Sequence, residues 1–157
     1  MSDKGLLEGK RVLIVDDEPD VLETLRELLY MCEVVEASNF DKGKESLTKQ
    51  SFDMAVLDIM GVDGYALLKI ANERKVIPVM LTAHALSPDN IARSYEEGAA
   101  SYIPKDKIAN ITTYLNDVLE AKEKGESLWW RWFDRLASYF DKKFGPDWQK
   151  DHHIIVR

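Results

Sequence analysis

Acidic residues stand at the ends of two apolar runs of the sequence. The run RVLIVD, from 11 to 16, ends in Asp16 with Asp17 next, and the run DMAVLD, from 53 to 58, ends in Asp58. If both runs are parallel strands, these ends meet at the sheet edge where ligands bind in such folds. Carboxylates that close repel one another unless a cation lies between them. Mg²⁺ suits them, because it prefers oxygen ligands and also binds phosphoryl oxygens.

A hydroxyl and an ammonium follow two further apolar runs. Thr82 ends the run from 77 to 82, and Lys105 comes just after the short run from 101 to 103. A lone Lys is usually a solvated surface charge, and a lone Thr suits any strand. Together with the three acids, they are the groups that phosphoryl transfer needs, because that chemistry depends on positioning and charge neutralisation. A carboxylate can itself be the nucleophile and carry an aspartyl phosphate.

Helical spacing separates the apolar runs. The sequence predicts the order βαβαβαβαβα, with strands at 11–16, 33–37, 53–58, 77–82 and 101–103. Alternation of this kind predicts an α/β fold with a doubly wound parallel sheet and helices on both faces.

Composition excludes several classes of protein. The 157 residues carry a net charge of −7, which argues against nucleic acid as a partner. A single Cys, Cys32, excludes an internal disulfide framework and a multi-cysteine metal site. No apolar run is long enough to span a bilayer, and the first ten residues lack the apolar stretch of a secretory leader. We therefore expect a cytoplasmic protein.

An aromatic segment, 126–144, follows Gly125, which is placed as a helix C-cap would be. The segment predicts an amphipathic helix that Gly145 and Pro146 end. Three alternatives stay open for it: packing on its own domain as a sixth helix, binding a second copy or another protein, and binding a membrane surface. Asp134 and Asp141 argue against the membrane. One face carries Trp129, Trp132, Phe133, Leu136 and Phe140.

Four motifs together resemble the receiver domain of two-component response regulators. They are VLIVDDEPDVLETLRELL, DMAVLDIM, PVMLTAHALSPD and EEGAASYIPK, and the resemblance covers about residues 10–122. It implies a flavodoxin-like fold, a five-stranded sheet in the order 2-1-3-4-5, here with an extra C-terminal helix. We expect an N-terminal tail at 1–9, the receiver domain at 10–124, the aromatic helix at 126–144 and a C-terminal tail at 145–157.

The resemblance also implies a metal site and a phosphoacceptor. Asp58 would be the phosphorylated nucleophile and a ligand of Mg²⁺. Asp17 would bind the ion directly and Asp16 largely through water, and the backbone carbonyl of Met60 would be the third protein ligand. The donor would be a phosphohistidine on a sensor histidine kinase or a phosphotransfer protein.

The same resemblance implies a switch. Thr82 would hydrogen-bond the phosphoryl group, Lys105 would pair with it, and Tyr102 would change rotamer when Thr82 moves. Two features depart from the family's pattern. The loop in DIMGVDG is about two residues shorter and lacks a Pro, and Asp106 stands where a Pro normally follows the Lys. We expect that Asp106 could compete for the ammonium.

The function implied is that of a response regulator that signals by phosphorylation-dependent protein interaction and is not a conventional enzyme. Its partners would be the donor kinase, a downstream protein, and a second copy through helix four, strand five and helix five or through the 126–144 helix. The alternative is a phosphorylation-independent scaffold that acts through the aromatic helix. A phosphohydrolase of the haloacid-dehalogenase kind is disfavoured, because Asp58 lacks a second Asp two residues on. No nucleotide-binding glycine motif is present.

Overall fold

The structure is a computed structural model that describes residues 5–83, 86–127 and 129–151. Strands and helices alternate along the chain as predicted. The strands are β1 (Arg11–Val15), β2 (Glu33–Ala37), β3 (Met54–Asp58), β4 (Ile77–Thr82) and β5 (Ser101–Pro104). The helices are α1 (Pro19–Leu28), α2 (Phe40–Lys49), α3 (Gly64–Glu73), α4 (Pro88–Glu96), α5 (Ile111–Lys124), α6 (Trp130–Phe144) and α7 (Trp148–Asp151). Short 3₁₀ helices cover Gly5–Leu7 and Lys105–Asn110.

The five strands form one parallel sheet in the order β2-β1-β3-β4-β5. Every residue of β3 is buried, and so are all but the first residues of β1 and β4. Strands buried on both faces need helices on both sides, which explains why their sequences are continuous apolar runs without alternation. The predicted flavodoxin-like, doubly wound fold with an extra C-terminal helix is confirmed.

Local capping groups set the helix ends around this sheet. Pro19 occupies the first turn of α1, where its missing N–H costs no hydrogen bond. Asn39 caps α2 by accepting a hydrogen bond from the amide of Lys42 at 2.8 Å, and Ser87 caps α4 in the same way. Each cap follows the carboxyl end of a strand, so the chain turns away from the sheet there.

The last long helix begins later than predicted. Gly125 adopts a left-handed conformation with φ of 70°, and the amide of Glu126 donates to the carbonyl of Ala121 at 2.8 Å. This pattern closes α5 and uses the amide of Glu126, so residue 126 belongs to the end of α5 rather than to the next helix. The aromatic helix, α6, starts at Trp130.

The aromatic face of α6 packs on the helix's own domain. Trp132 and Phe140 are 3% and 0% exposed, and Trp129, just before the helix, is 4% exposed. Beyond Gly145 the chain turns back, and Trp148 of α7 is buried against Phe140. Part of the predicted C-terminal tail is therefore docked, while residues 152–157, like residues 1–4 of the N-terminal tail, lie outside the described residues. The helices of the described chain include none that is both long and apolar enough to cross a membrane.

Candidate functional site

Four of the predicted site residues lie at the carboxyl ends of neighbouring strands. Asp16 follows the last residue of β1, Asp58 ends β3, Thr82 ends β4 and Lys105 follows β5. The pairing of Val15 with Leu57 places Asp16 and Asp58 next to each other. Asp16, Asp58 and Thr82 are all buried, at 1%, 4% and 0% exposure. The sheet thus brings the predicted acids, hydroxyl and ammonium to one edge, as their positions in the sequence indicated.

The ammonium of Lys105 lies among three carboxylates. Its Nζ is 2.7 Å from Oε1 of Glu18, 3.0 Å from Oδ2 of Asp16 and 3.4 Å from Oδ1 of Asp58. Burial alone would disfavour the charged amine, but the hydrogen bonds to Glu18 and Asp16 outweigh it and raise the pKa of Lys105. The side chain is therefore a fixed positive charge at neutral pH. The partners found for it do not include Asp106.

Glu18 was missed as a site residue by sequence reasoning. Its carboxylate makes the shortest contact with Lys105, although 87 positions separate the two residues. The signal that could have found it is the run of three acids, Asp16 to Glu18, directly after β1.

Burial of the carboxylates of Asp16 and Asp58 has a free-energy cost that the ammonium of Lys105 only partly offsets. Burial is the main cause that raises the pKa of both Asp16 and Asp58. Repulsion from Asp58 adds to it at Asp16, and repulsion from Asp17 adds to it at Asp58. Oδ2 of Asp16 is buried and faces the ammonium of Lys105 at 3.0 Å. A second positive charge at this position would stabilise both carboxylates in their ionised form.

The oxygen atoms available here fit a hard divalent cation. Carboxylate oxygens of Asp16, Asp17 and Glu18 lie within 4.8 Å of one another. All are oxygen donors, and Asp17 and Glu18 are exposed, so water can complete a coordination shell of the kind that Mg²⁺ prefers. Asp58 is outside this group of three, but its carboxylate reaches the same space beside Gly61.

Gly61 leaves the room that joins Asp17 and Asp58. A Cβ added to it would overlap Oδ1 of Asp17 and lie 2.7 Å from Oδ2 of Asp58, and its amide donates a hydrogen bond of 3.2 Å to that Oδ2. The loop after β3, though shorter than the family's pattern, therefore still brings backbone to Asp58. The side chain of Met60 is 64% exposed. Its backbone carbonyl as a metal ligand stays a prediction.

A second glycine keeps this loop tight. The amide of Gly64 donates to the carbonyl of Ile59 at 2.8 Å, and a Cβ there would overlap the carbonyl oxygen of Asp58. Asp63, just before α3, takes a left-handed conformation with φ of 52°. The chain thus folds back on the end of β3 before α3 begins.

Tyr102, the other switch candidate, lies inside the molecule. It is 0% exposed on β5, where Thr82 pairs with Pro104 two residues further on. Burial raises the pKa of Tyr102, so the side chain is a neutral phenol. Its ring is 6.1 Å from that of Phe140 on α6. The predicted movement of Tyr102 with Thr82 stays a prediction.

Comparisons with known proteins agree with this geometry. The family model described as "Response regulator receiver domain" matches residues 12–116. "Two-component response regulator ARR18" of Arabidopsis thaliana is 36% identical over 103 residues, which are 62% of this chain and 16% of that protein. "Response regulator GtcR" of Aneurinibacillus migulanus is 30% identical over 128 residues, which are 75% of this chain and 52% of that protein. The chain thus spans about half or less of the length of these curated relatives.

A solved structure supports the same assignment. The CheY-like response regulator receiver domain protein from Methanospirillum hungatei superposes with a TM-score of 0.67 at 28% identity, over 74% of this chain and 98% of that one. The acids at the strand ends, the order of the strands and the matched family model all point the same way. The chain belongs to the response regulator receiver domain family, the signalling domains of two-component systems.

Proposed function

We propose that this receiver domain is a switch that accepts a phosphoryl group on Asp58. The observation that carries the proposal is the position of this carboxylate: it is buried at a strand end, 3.4 Å from the Lys105 ammonium and hydrogen-bonded by the Gly61 amide. An oxygen of Asp58 attacks the phosphorus of a phosphohistidine on a sensor histidine kinase or a phosphotransfer protein. The new O–P bond forms while the N–P bond breaks, and the imidazole nitrogen keeps the electron pair.

The neighbouring residues stabilise the negative charge on the phosphoryl oxygens during this transfer. Lys105 neutralises one phosphoryl oxygen, and the hydroxyl of Thr82 hydrogen-bonds another. Asp16 and Asp17, with Asp58 and the Met60 carbonyl, would hold Mg²⁺, and the closeness of Glu18 makes it a further candidate. Mg²⁺, when bound, supplies neutralisation and orientation of the phosphoryl oxygens.

Signalling by this switch would run through protein contacts. The scaffold alternative needs a free aromatic face on α6, and that face is buried against the domain. We therefore retain the phosphorylation switch as the single proposed function.

Intact mass spectrometry tests the proposal. The protein is incubated with Mg²⁺ and acetyl phosphate as wild type, as Asp58→Ala and as Asp41→Ala, which changes an exposed aspartate of α2. Wild type and Asp41→Ala are expected to gain one phosphoryl group, and Asp58→Ala none. Equal addition to Asp58→Ala would place the phosphoryl group elsewhere, and no addition to wild type would contradict the proposed chemistry.

A further inference from the structure

Two indole groups of the C-terminal region bond to the backbone of the receiver domain. Nε1 of Trp129 donates to the carbonyl of Ala99 at 2.7 Å, and Nε1 of Trp132 donates to the carbonyl of Tyr102 on β5. The ring of Trp129 also meets that of Tyr95 on α4 edge-on, with centroids 5.3 Å apart. These contacts place the start of α6 over α4 and β5.

Ion pairs hold the other flank of α6 on α5. Arg135 donates two hydrogen bonds to the carboxylate of Asp117, one of them at 3.2 Å. Nη2 of Arg131 is 2.6 Å from Oε1 of Glu120. The helix thus covers a surface built from α4, β5 and α5, which we call the α4–β5–α5 face.

The far half of α6 reaches the loop that carries the site lysine. The hydroxyl of Tyr139 donates to Oδ2 of Asp106 at 3.1 Å, and Asp106 is the residue after Lys105. The ammonium of Lys107 lies 5.2 Å from the centre of the Tyr139 ring. Lys105, the cation of the proposed phosphorylation site, is therefore the direct neighbour in sequence of Asp106, which binds α6 through Tyr139.

The backbone of this loop is irregular. The 3₁₀ segment Lys105–Asn110 is kinked at Lys107, where φ is −107° and ψ is 15°, so it is not one regular turn. Asp106 stands where the family's pattern has a Pro. Its carboxylate accepts a hydrogen bond from Tyr139 of α6 and is not among the partners found for Lys105. One departure of this chain from the family's pattern, the acid at 106, thus accepts a hydrogen bond from the additional helix α6.

We propose that α6 is a cover of the α4–β5–α5 face that phosphorylation of Asp58 releases; this inference rests on the proposed function. A phosphoryl group adds negative charge beside Lys105, whose ammonium is 3.4 Å from Asp58 and 2.7 Å from Glu18. The ammonium moves towards the new charge and carries Asp106 with it. The Tyr139–Asp106 bond then breaks, and the docking equilibrium shifts roughly fivefold towards the free helix. Release exposes both the face and the aromatic stripe to a partner.

Tryptophan fluorescence measures this release directly. Trp129, Trp130, Trp132 and Trp148 are the four tryptophans of the chain, so its emission reports on the C-terminal region alone. Acrylamide quenching is measured with and without acetyl phosphate and Mg²⁺, and intact mass is taken from the same samples. Phosphorylated wild type is expected to show quenching stronger by up to about twofold, since a fivefold shift frees a fraction of the molecules and their indoles become accessible. Asp58→Ala is expected to show no change.

A matched pair of variants tests the proposed link. Tyr139→Phe keeps the ring but removes the hydroxyl, so we expect stronger quenching without the donor and a smaller further rise with it. Ser138→Ala removes a hydroxyl from the neighbouring exposed position of α6 and is expected to behave as wild type.

The outcomes separate the two proposals. A protein that gains the phosphoryl group while its quenching stays constant overturns the release of α6 and leaves the switch chemistry intact. A protein that gains no phosphoryl group contradicts the proposed function, and the release fails with it. Tyr139→Phe that responds like wild type overturns the path through Asp106.

Discussion

At the scale of single residues, the site holds more negative charge than its one ammonium balances. Asp16 and Asp58 are buried, and burial raises the pKa of each. A protein built for stability alone would avoid two buried carboxylates side by side. Sites of this kind keep such a cost because the charge is used in chemistry. The proposed cation and phosphoryl group would offset this charge.

The missing side chain of Gly61 gives a prediction at this scale. In Gly61→Ala, the new methyl group would displace the carboxylate of Asp17 and press on that of Asp58. We expect the affinity for Mg²⁺ to fall by about tenfold, since groups that orient metal ligands have effects of that size. Isothermal titration calorimetry with MgCl₂ measures it.

A second glycine supplies the control for this prediction. The three atoms nearest to a Cβ at Gly43 on α2 belong to the apolar side chains of Val15 and Leu67, at 3.2–3.3 Å. Gly43→Ala is therefore expected to bind Mg²⁺ as wild type does. If a folded Gly61→Ala also binds Mg²⁺ unchanged, the acids do not hold the ion beside this loop.

At the scale of elements, α6 is fixed mainly by its buried aromatic face. Trp132 contributes both a large apolar surface and the N–H group that bonds to Tyr102. Its ring also stacks near that of Phe140 at 5.5 Å. A buried side chain of this size with a satisfied polar group is expected to dominate the packing of the helix.

Truncation of Trp132 tests whether this side chain dominates the packing of α6. We expect Trp132→Ala to lower the free energy of unfolding by about 3 kcal/mol, because a large buried ring is lost and a cavity remains. Trp132→Phe keeps a large ring but loses the N–H donor and part of the apolar surface, so it is expected to cost less, about 1–2 kcal/mol. Urea unfolding followed by far-UV circular dichroism measures both. Equal, negligible losses would mean that α6 does not pack on the domain in solution.

At the scale of the whole molecule, ion pairs between α6 and α5 add to the aromatic contact between α6 and the rest of the domain. The chain has a net charge of −7, and α6 brings Arg131 and Arg135 to the acids of α5. The hydrogen bond from Arg131, and then that from Lys124, lowers the pKa of Glu120 from 4.5 to about 2. The basic groups of α6 thus recognise the acidic flank of α5.

This lowered pKa predicts an acid dependence of docking. A carboxyl group whose pKa is lower in the folded than in the unfolded chain stabilises the fold above its ordinary value and loses this effect as pH falls. The Glu120–Arg131 contact is therefore complete above pH 4.5 and is lost towards pH 2. We expect acrylamide quenching of the tryptophans to rise over this window.

A variant with a neutral side chain at position 120 tests whether Glu120 causes this acid dependence. Glu120→Gln is expected to show stronger quenching than wild type at pH 7 and a smaller rise on acidification. Asp117 and Glu126 also pair with Arg131, so some acid response should remain. The same acid response in Glu120→Gln as in wild type would show that another group controls the docking of α6.

The sequence by itself determined the strands and the residues at their ends. Short continuous apolar runs such as 77–82, placed between helical segments, indicate buried strands of an α/β fold, and a residue that ends such a run then lies at the sheet edge. Caps such as Gly125 were equally predictable, because a helix end depends on residues within one turn of it. The candidate positions of Asp58, Thr82 and Lys105 followed from these local rules.

Only the tertiary structure decided which distant groups meet. Glu18 pairs with Lys105 across 87 positions, and Tyr139 bonds to Asp106 across 33. The periodicity of α6 showed that it has an apolar face but not what covers it, because a domain, a second copy and a membrane all bury apolar surface. The choice of its own domain came from the fit of two indole N–H groups to backbone carbonyls and of two arginines to the acids of α5.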